Sequence, residues 1–266
     1  MTRRLEGKVA IVTGASKNIG GSIAAGFAVE GAKVVCNDLD PATAAATAER
    51  VAGLGGHAMA LPGDVTDEAY VAAAVERTID EWGRIDVLVN NAVLFNKKGV
   101  LDMSHAEFRA QLDVILGGAF LLTKHVAAAM IELGIGGSIV NVLSTAAWQG
   151  EPGNIGYSTG KGALINFTRS AAMELAQHGI RVNGFTPTAT AITDAAHEAR
   201  RAESRSSGWT MEFESHLPLG RRPTPEDYVP ALVFLASDDS RMMTGTNITV
   251  DAGATAKYWP WVPHPD

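Results

Sequence analysis

Tyr157 and Lys161 stand four residues apart, and Ser144 lies thirteen residues before the tyrosine. On a helix that spacing sets phenol and amine on one face, one turn from each other. An ammonium beside a phenol favours the phenolate, so Lys161 is expected to draw the Tyr157 pKa down from roughly 10 toward neutrality. Tyr157 would then exchange a proton with a substrate oxygen that the Ser144 hydroxyl holds in place. Taken singly, each residue has a plainer reading. Ser144 is also a strand-end cap, and the Tyr-x-x-x-Lys pair is also a solvated helix surface.

A second constellation lies near the start of the chain. Val9-Ala10-Ile11-Val12-Thr13-Gly14 runs an apolar strand into a turn, and Asn18-Ile19-Gly20 opens a helix. Backbone N–H groups at a helix start, with the helix dipole behind them, suit a pyrophosphate. Glycine at 14 and 20 lets the backbone approach such a ligand. Asp38 follows at the end of the next apolar run, placed for the ribose hydroxyls of an adenosine. Its charge repels a 2′-phosphate and so favours NAD over NADP. Lys17, in the turn, favours the opposite choice.

Short β-rich runs alternate with longer amphipathic ones along the whole chain. Strands are expected at Val9–Thr13, Lys33–Asn37, His57–Leu61, Val87–Asn90, Ser138–Leu143, Arg181–Phe185 and Asn247–Val250. Helices are expected at Ile19–Glu30, Ala42–Ala52, Glu68–Trp82, Ala106–Glu132, Tyr157–Gln177 and Pro225–Ala236. Ser104 with Glu107 reads as a capping box, Thr224-Pro225 as a helix start, and Gly31 and Gly179 as helix stops. Such alternation implies an α/β fold: one doubly wound, Rossmann-type domain over residues 1–266, its seven-stranded parallel sheet covered by helices on both faces.

Composition narrows the function classes. The 266 residues are 46% hydrophobic with 28 glycines, enough for one large core, and the net charge of -7 argues against nucleic acid. The single cysteine, Cys36, falls in an apolar run and reads as an inert buried thiol in a reducing cytoplasm. The seven histidines lack metal-ligand spacing. No leader is expected, and no apolar run is expected to approach membrane-spanning length.

With both constellations joined, the chain resembles the short-chain dehydrogenase/reductase family over nearly its whole length. The matching segments are Gly14 to Gly20, Asp64-Val65, Asn90-Asn91-Ala92, Ser144, Tyr157, Lys161, Arg181-Val182-Asn183, Pro187, Thr244-Gly245 and Asp251-Ala252-Gly253. The resemblance implies hydride transfer between a nicotinamide and a carbon bearing hydroxyl or carbonyl. Tyr157 would be the acid/base, Lys161 its modulator and a ribose ligand, and Ser144 the orienting hydroxyl. Gly14, Ser16, Lys17, Asn18, Ile19, Gly20, Asp38 and Leu39 would hold the adenosine and pyrophosphate. Asp64 and Val65 would flank the adenine, Asn90, Asn91 and Ala92 would sit by the ribose, and Pro187 and Thr188 would begin the loop over the nicotinamide. The chain departs from the family at Asn18, Val93 and Thr188, each replacing a glycine. It departs most at Ile115, which replaces an asparagine that helps hold a water beside the lysine. An isoleucine side chain cannot hydrogen-bond, so either another group carries that water or proton release is slow.

The remaining expectations concern the substrate and the assembly. Phe95, Trp148, Gln149 and Trp209 are candidate pocket residues and suit a bulky, apolar alcohol or ketone, cyclic, aromatic, terpenoid or steroid-like. Residues 189–217 interrupt the alternation and read as a substrate lid or as a solvated surface helix. Residues 254–266 carry Tyr258, Trp259 and Trp261 on a proline-stiffened tail, expected at a subunit contact of a tetramer or dimer, or folded back on its own surface. Two other classes are weighed. Gly156-Tyr157-Ser158-Thr159-Gly160 matches a hydrolase elbow by pattern, but loop formers precede it where a strand is required. A low-turnover dinucleotide sensor or scaffold is kept open by Ile115 and opposed by the retained triplet.

Overall fold

Seven apolar runs, each followed by a helix or a turn, assemble into one sheet in which every pairing is parallel. The structure is a computed structural model and describes residues 3–191 and 214–257. Its strands are β1 (Val9–Thr13), β2 (Lys33–Asn37), β3 (His57–Ala60), β4 (Val87–Asn90), β5 (Gly137–Val142), β6 (Ile180–Pro187) and β7 (Asn247–Val250). Their order is β3-β2-β1-β4-β5-β6-β7. Winding therefore reverses between β1 and β4, and the crevice beyond their carboxyl ends is where an open α/β sheet binds ligands.

The helices are α1 (Ile19–Val29), α2 (Pro41–Gly53), α3 (Glu68–Trp82), α4 (His105–Leu112), α5 (Gly118–Glu132), α6 (Ile155–Leu175) and α7 (Pro225–Ala236). Strand alternation splits the apolar side chains into two layers. Ala10, Val12, Val34 and Val140 pack with α1 and α7 on one face, around Phe27, Tyr228 and Leu232. Ile11, Val35, Leu88, Ile139 and Val182 pack with α3, α5 and α6 on the other, around Val71, Val126 and Met130. The expected start and stop signals operate. Ser104 and Glu107 close a reciprocal capping box, and Gly31 and Gly179 adopt φ of 94° and 69°.

Three sequence expectations need correction. Strand β6 runs on to Pro187 instead of ending at Phe185, because its partner β7 continues the ladder as far as Pro187↔Val250. The long helix expected over Ala106–Glu132 is broken into α4 and α5 by a π turn, Asp113–Gly117, closed by Gly118 N–H to the Asp113 carbonyl. Gly118 there seats against Val65, at a distance no side chain would tolerate. Lastly, His105–Glu132 is, at 28 residues, long and apolar enough to cross a membrane by length and composition, and half of its most apolar window is buried inside the protein. The apolar surface of that helix serves the core, where Leu122, Val126, Ala127 and Met130 are buried.

Candidate active site

The glycine turn after β1 is a narrow passage. Gly14 has φ of 60°, and a side chain on it would press on Ala92 Cα at 2.9 Å. A Cβ on Gly20 would strike the Gly14 carbonyl, and one on Gly21 the Ser16 carbonyl, so the turn requires three glycines and not the two singled out from sequence. Asn91 clamps the turn from the far side, its Nδ2 donating to the carbonyls of Thr13 (3.0 Å) and Gly14 (2.9 Å). Thr13 Oγ1 accepts from the N–H groups of Asn91 and Ala92. Thr47 donates to the Ala15 carbonyl and ties the same turn to α2. Neither Thr13 nor Thr47 had a sequence signal, because each acts through one hydroxyl across a long stretch of chain.

Beyond the turn, α1 begins with no side-chain cap at Asn18 and no acidic residue in its first turn. Helices α2, α3 and α4, by contrast, are capped by Asp40, Asp67 and Ser104. An uncapped helix start, open at the switch point, offers unpaired N–H groups and the positive end of a dipole to an anion. Asp38 ends β2 half-buried; burial pushes its carboxyl up, and Oδ1 accepts from its own loop at Asp40 N–H (3.1 Å). Leu39 and Lys17 are exposed, and Ser16 and Ile19 are half-buried along the turn. The helix start and carboxylate thus match the pyrophosphate and ribose of a dinucleotide. Other expected contacts have structural partners of their own. Asp64 Oδ1 accepts from Thr66 N–H and hydroxyl, and Asn90 is buried and donates to Asn141 Oδ1 (2.8 Å).

Ser144, Tyr157 and Lys161 are all buried at the carboxyl edge of β5. Ser144 ends the strand and its Oγ accepts from Ala146 N–H (3.1 Å), so the cap role and the site role coexist. Tyr157 and Lys161 share a face of α6 as the spacing requires, the amine 5.8 Å from the phenol ring centroid. That helix lies close to its neighbours through glycines. A side chain at 156 would collide with Gln111, and one at 160 would meet Ile115 at 3.1 Å. The electrostatics correct the sequence expectation. Tyr157 is pushed up to about 12, chiefly by burial, with the Ser144 hydroxyl pulling the other way and Glu151 adding to the rise. Burial also drives Lys161 down to about 7, and its Nζ donates to the Val142 carbonyl (2.5 Å). Desolvation of both groups outweighs their attraction, so the phenol here is a proton holder.

Phe95, in the loop after β4, stacks on Tyr157 with ring centroids 4.6 Å apart and planes inclined by 26°. Val93 and Leu94 beside it are exposed, which puts an apolar wall next to the phenol. Trp148 goes elsewhere. Its Nε1 donates to Thr186 Oγ1 (3.3 Å), and it lines an open pocket of about 470 Å³ with Leu143, Ile165, Arg169, Asn247 and Thr255. Gln149 is exposed, whereas Pro187 and Thr188 are buried where the strand β6 ends. Trp209, most of the lid segment (192–213) and the tail from 258 onward lie outside the described residues. Ser158 falls inside α6, which starts at Ile155, so the strand-to-helix elbow of a hydrolase is not formed. Cys36 is buried and its thiol pushed up to about 12, and the described residues hold no group of three metal-ligating side chains.

A family model described as Enoyl-(Acyl carrier protein) reductase matches residues 14–255. Galactitol 2-dehydrogenase of Agrobacterium fabrum is 37% identical over 257 residues, 94% of this chain and 98% of that protein. Among solved structures, a short-chain type dehydrogenase/reductase from Mycobacterium marinum superposes with a TM-score of 0.85 at 32% identity, covering 96% of this chain and 98% of that one. A gluconate 5-dehydrogenase from Burkholderia cenocepacia, solved with NADP and tartrate, superposes with a TM-score of 0.86 at 31% identity, again over 96% and 98%. The chain belongs to the short-chain dehydrogenase/reductase family.

The buried amine has a measurable consequence for stability. Lys161 titrates near 7 in the folded protein against 10.5 when exposed. Between those values the unfolded chain carries a proton that the folded one has released, so stability rises with pH, by up to about 1.4 kcal/mol per unit. Tyr157 opposes this only above its exposed value of 10, where the unfolded chain loses its proton first. Thermal unfolding without cofactor should therefore show the wild type gaining on Lys161→Met from about pH 7 to pH 9.5. Parallel pH dependence of the two proteins would show that the amine is not desolvated.

Proposed function

We propose that this member of the short-chain dehydrogenase/reductase family interconverts a secondary alcohol and a ketone, prefers NAD, and takes a substrate with a substantial apolar part. The observation that carries the reading is the shared burial of Ser144, Tyr157 and Lys161 at the carboxyl edge of β5, the same edge of the parallel sheet that carries the glycine turn. NAD(P), when bound, accepts or supplies the hydride. The protein's own residues do the rest. Ser144 Oγ holds the substrate oxygen, Tyr157 gives that oxygen a proton in reduction or takes one in oxidation, and Lys161 sets how readily the phenol does so. With its pKa raised by burial, Tyr157 is primed as the donor. Asp38 would take the ribose hydroxyls and disfavour a 2′-phosphate.

Two observations bear on the substrate. The Phe95 ring over Tyr157, with Leu94 and Val93 exposed beside it, supports an apolar flank. The second reading is a polyol or sugar acid, favoured by the likeness to a galactitol 2-dehydrogenase and a gluconate 5-dehydrogenase. A homo-oligomer is supported by apolar side chains left exposed on the long helices, Phe120 on α5 and Met173 on α6.

Three outcomes test this reading. Tyr157→Phe should lower kcat by about a thousandfold while NADH titration shows near-normal binding, because only the proton-transfer group is lost; near-normal turnover would end the mechanism. Wild type should bind NADH more tightly than NADPH, and Asp38→Ala should narrow that gap, as read by fluorescence titration. Tighter NADPH binding by the wild type would mean that Lys17 governs the choice. Across a panel of cyclic and aromatic secondary alcohols and of polyols, Phe95→Ala should cut kcat/KM for the apolar members by about tenfold, the scale of one lost apolar contact. Losses confined to the polyols would establish the second reading.

A further inference from the structure

Gln111, on α4, touches both of the segments that meet in the stack of Phe95 on Tyr157. Its side chain is wholly buried. Nε2 donates to the carbonyl of Leu94 (3.0 Å) and, at greater length, to that of Asn96 (3.4 Å), so the backbone is held on either side of Phe95. Oε1 lies against Gly156, the residue before Tyr157, so closely that a side chain there would collide with it. Carbonyls only accept, so turning the amide round would lose both bonds to the loop. Oε1 has no hydrogen-bond partner among the described residues and contributes by packing alone.

One turn earlier on the same face of α4, Glu107 holds the loop further along. Its Oε1 accepts from Asn96 Nδ2 (2.9 Å) and Lys98 Nζ (2.5 Å), while Oε2 accepts from the Ser104 N–H and hydroxyl that close the capping box. Ile155 N–H, at the start of α6, donates to the Lys98 carbonyl (3.4 Å) and ties the loop to the helix that carries Tyr157. Phe95 itself offers only its ring, and more than half of the residue is exposed. An aromatic side chain on an exposed loop would otherwise sample several rotamers. Its one position over the phenol is therefore set by the bonds of its neighbours to α4.

We propose that Gln111 is a specificity-determining positioning residue: by gripping the carbonyls that bracket Phe95 it fixes that ring against Tyr157, and so fixes the apolar face that a substrate meets beside its reacting carbon. Ser144 and Tyr157 hold the substrate oxygen, so the group that the reacting carbon carries toward Phe95 is selected by where the ring stands. A flat apolar group, cyclic or aromatic, suits the open part of that ring. Glu107 assists from one turn away, so a residue that caps a helix also tethers the pocket wall. The kinetic role rests on the dehydrogenase reading above, whereas the placing of the ring does not.

Crystal structures of the wild type and of Gln111→Met, which keeps the side-chain length and removes both donations, test the placing. The stack is expected in the wild type, and in the variant the Phe95 ring is expected to leave Tyr157 or to spread over several positions. An unmoved ring in Gln111→Met would overturn the proposal whether or not the protein is a dehydrogenase. A double-mutant cycle tests the role. Gln111→Met should lower kcat/KM for cyclic and aromatic secondary alcohols by about tenfold, chiefly through KM, with little change for isopropanol, and should lower nothing further when added to Phe95→Ala. Asn96→Ala frees the loop from Glu107 and leaves α4 untouched. It should act in the same direction by a smaller factor, and it carries the cycle if Gln111→Met does not fold. Losses that multiply in the double variant, losses that fall equally on isopropanol, or turnover of polyols alone would overturn the role. No turnover of any alcohol by the wild type would end the dehydrogenase reading and the role with it, whatever the ring does in the crystals.

Discussion

A buried lysine whose one hydrogen bond among the described residues goes to a strand carbonyl, Lys161 to Val142, sets the terms for the rest of this structure. A long cationic side chain is rarely taken wholly out of water, because its hydration is lost and must be replaced. Here it is replaced by one carbonyl and by a pKa low enough that the neutral amine is well populated near neutral pH. To keep water away, α6 must lie tight against its surroundings, and Gly156 and Gly160 permit this against Gln111 and Ile115. The same exclusion of water raises Tyr157 and turns an expected phenolate into a held proton.

Around that dry centre the strand ends carry amides, and each amide does a different task. Asn37 donates to the carbonyls of Leu61 and Gly63 and to Tyr70, fixing the loop beyond β3. Asn91 holds the glycine turn, and Asn183 donates to the Met243 carbonyl and accepts from Thr246 N–H, holding the approach to β7. Parallel strands end in loops whose backbone groups leave the ladder together, and side-chain amides can satisfy both donors and acceptors there. The bonds of Asn37 and Asn91 shape the crevice edge before any ligand arrives. Among the described residues that edge leaves α1 without a side-chain cap and the Oδ1 atoms of Asn37 and Asn90 without a hydrogen-bond partner.

The π turn at Asp113–Gly117 belongs to the same economy of space. It places Ile115 inside, beside Gly160, and lets α5 resume with Gly118 against Val65. π turns recur at functional sites because they displace one residue from the helical register. The displaced residue here is apolar, which gives the lysine a wall instead of a partner.

The sequence alone determined what local periodicity and short-range spacing can encode. The seven strands, the helix starts at Ser104 and Thr224, the glycine stops and the one-turn relation of Tyr157 to Lys161 were all legible, since each depends on residues within a few positions of one another. The grouping of the glycine turn with Asp38, Ser144, Tyr157 and Lys161 was legible through resemblance, as an ordered set of motifs. Tertiary structure decided what depends on burial and on contacts across the chain. The direction of the Tyr157 shift was misread, and the lowering of Lys161 was not foreseen, because desolvation is a property of the surroundings and spacing does not report it. Trp148 lines an open pocket, and the partner of its Nε1 there, Thr186 Oγ1, lies 38 residues further on, where spacing does not report it. The π turn left no mark on the helical pattern. The Leu164–Thr168–Asn141–Asn90 chain joins α6, β5 and β4 through single hydroxyls and amides, so only the folded protein brings it into being.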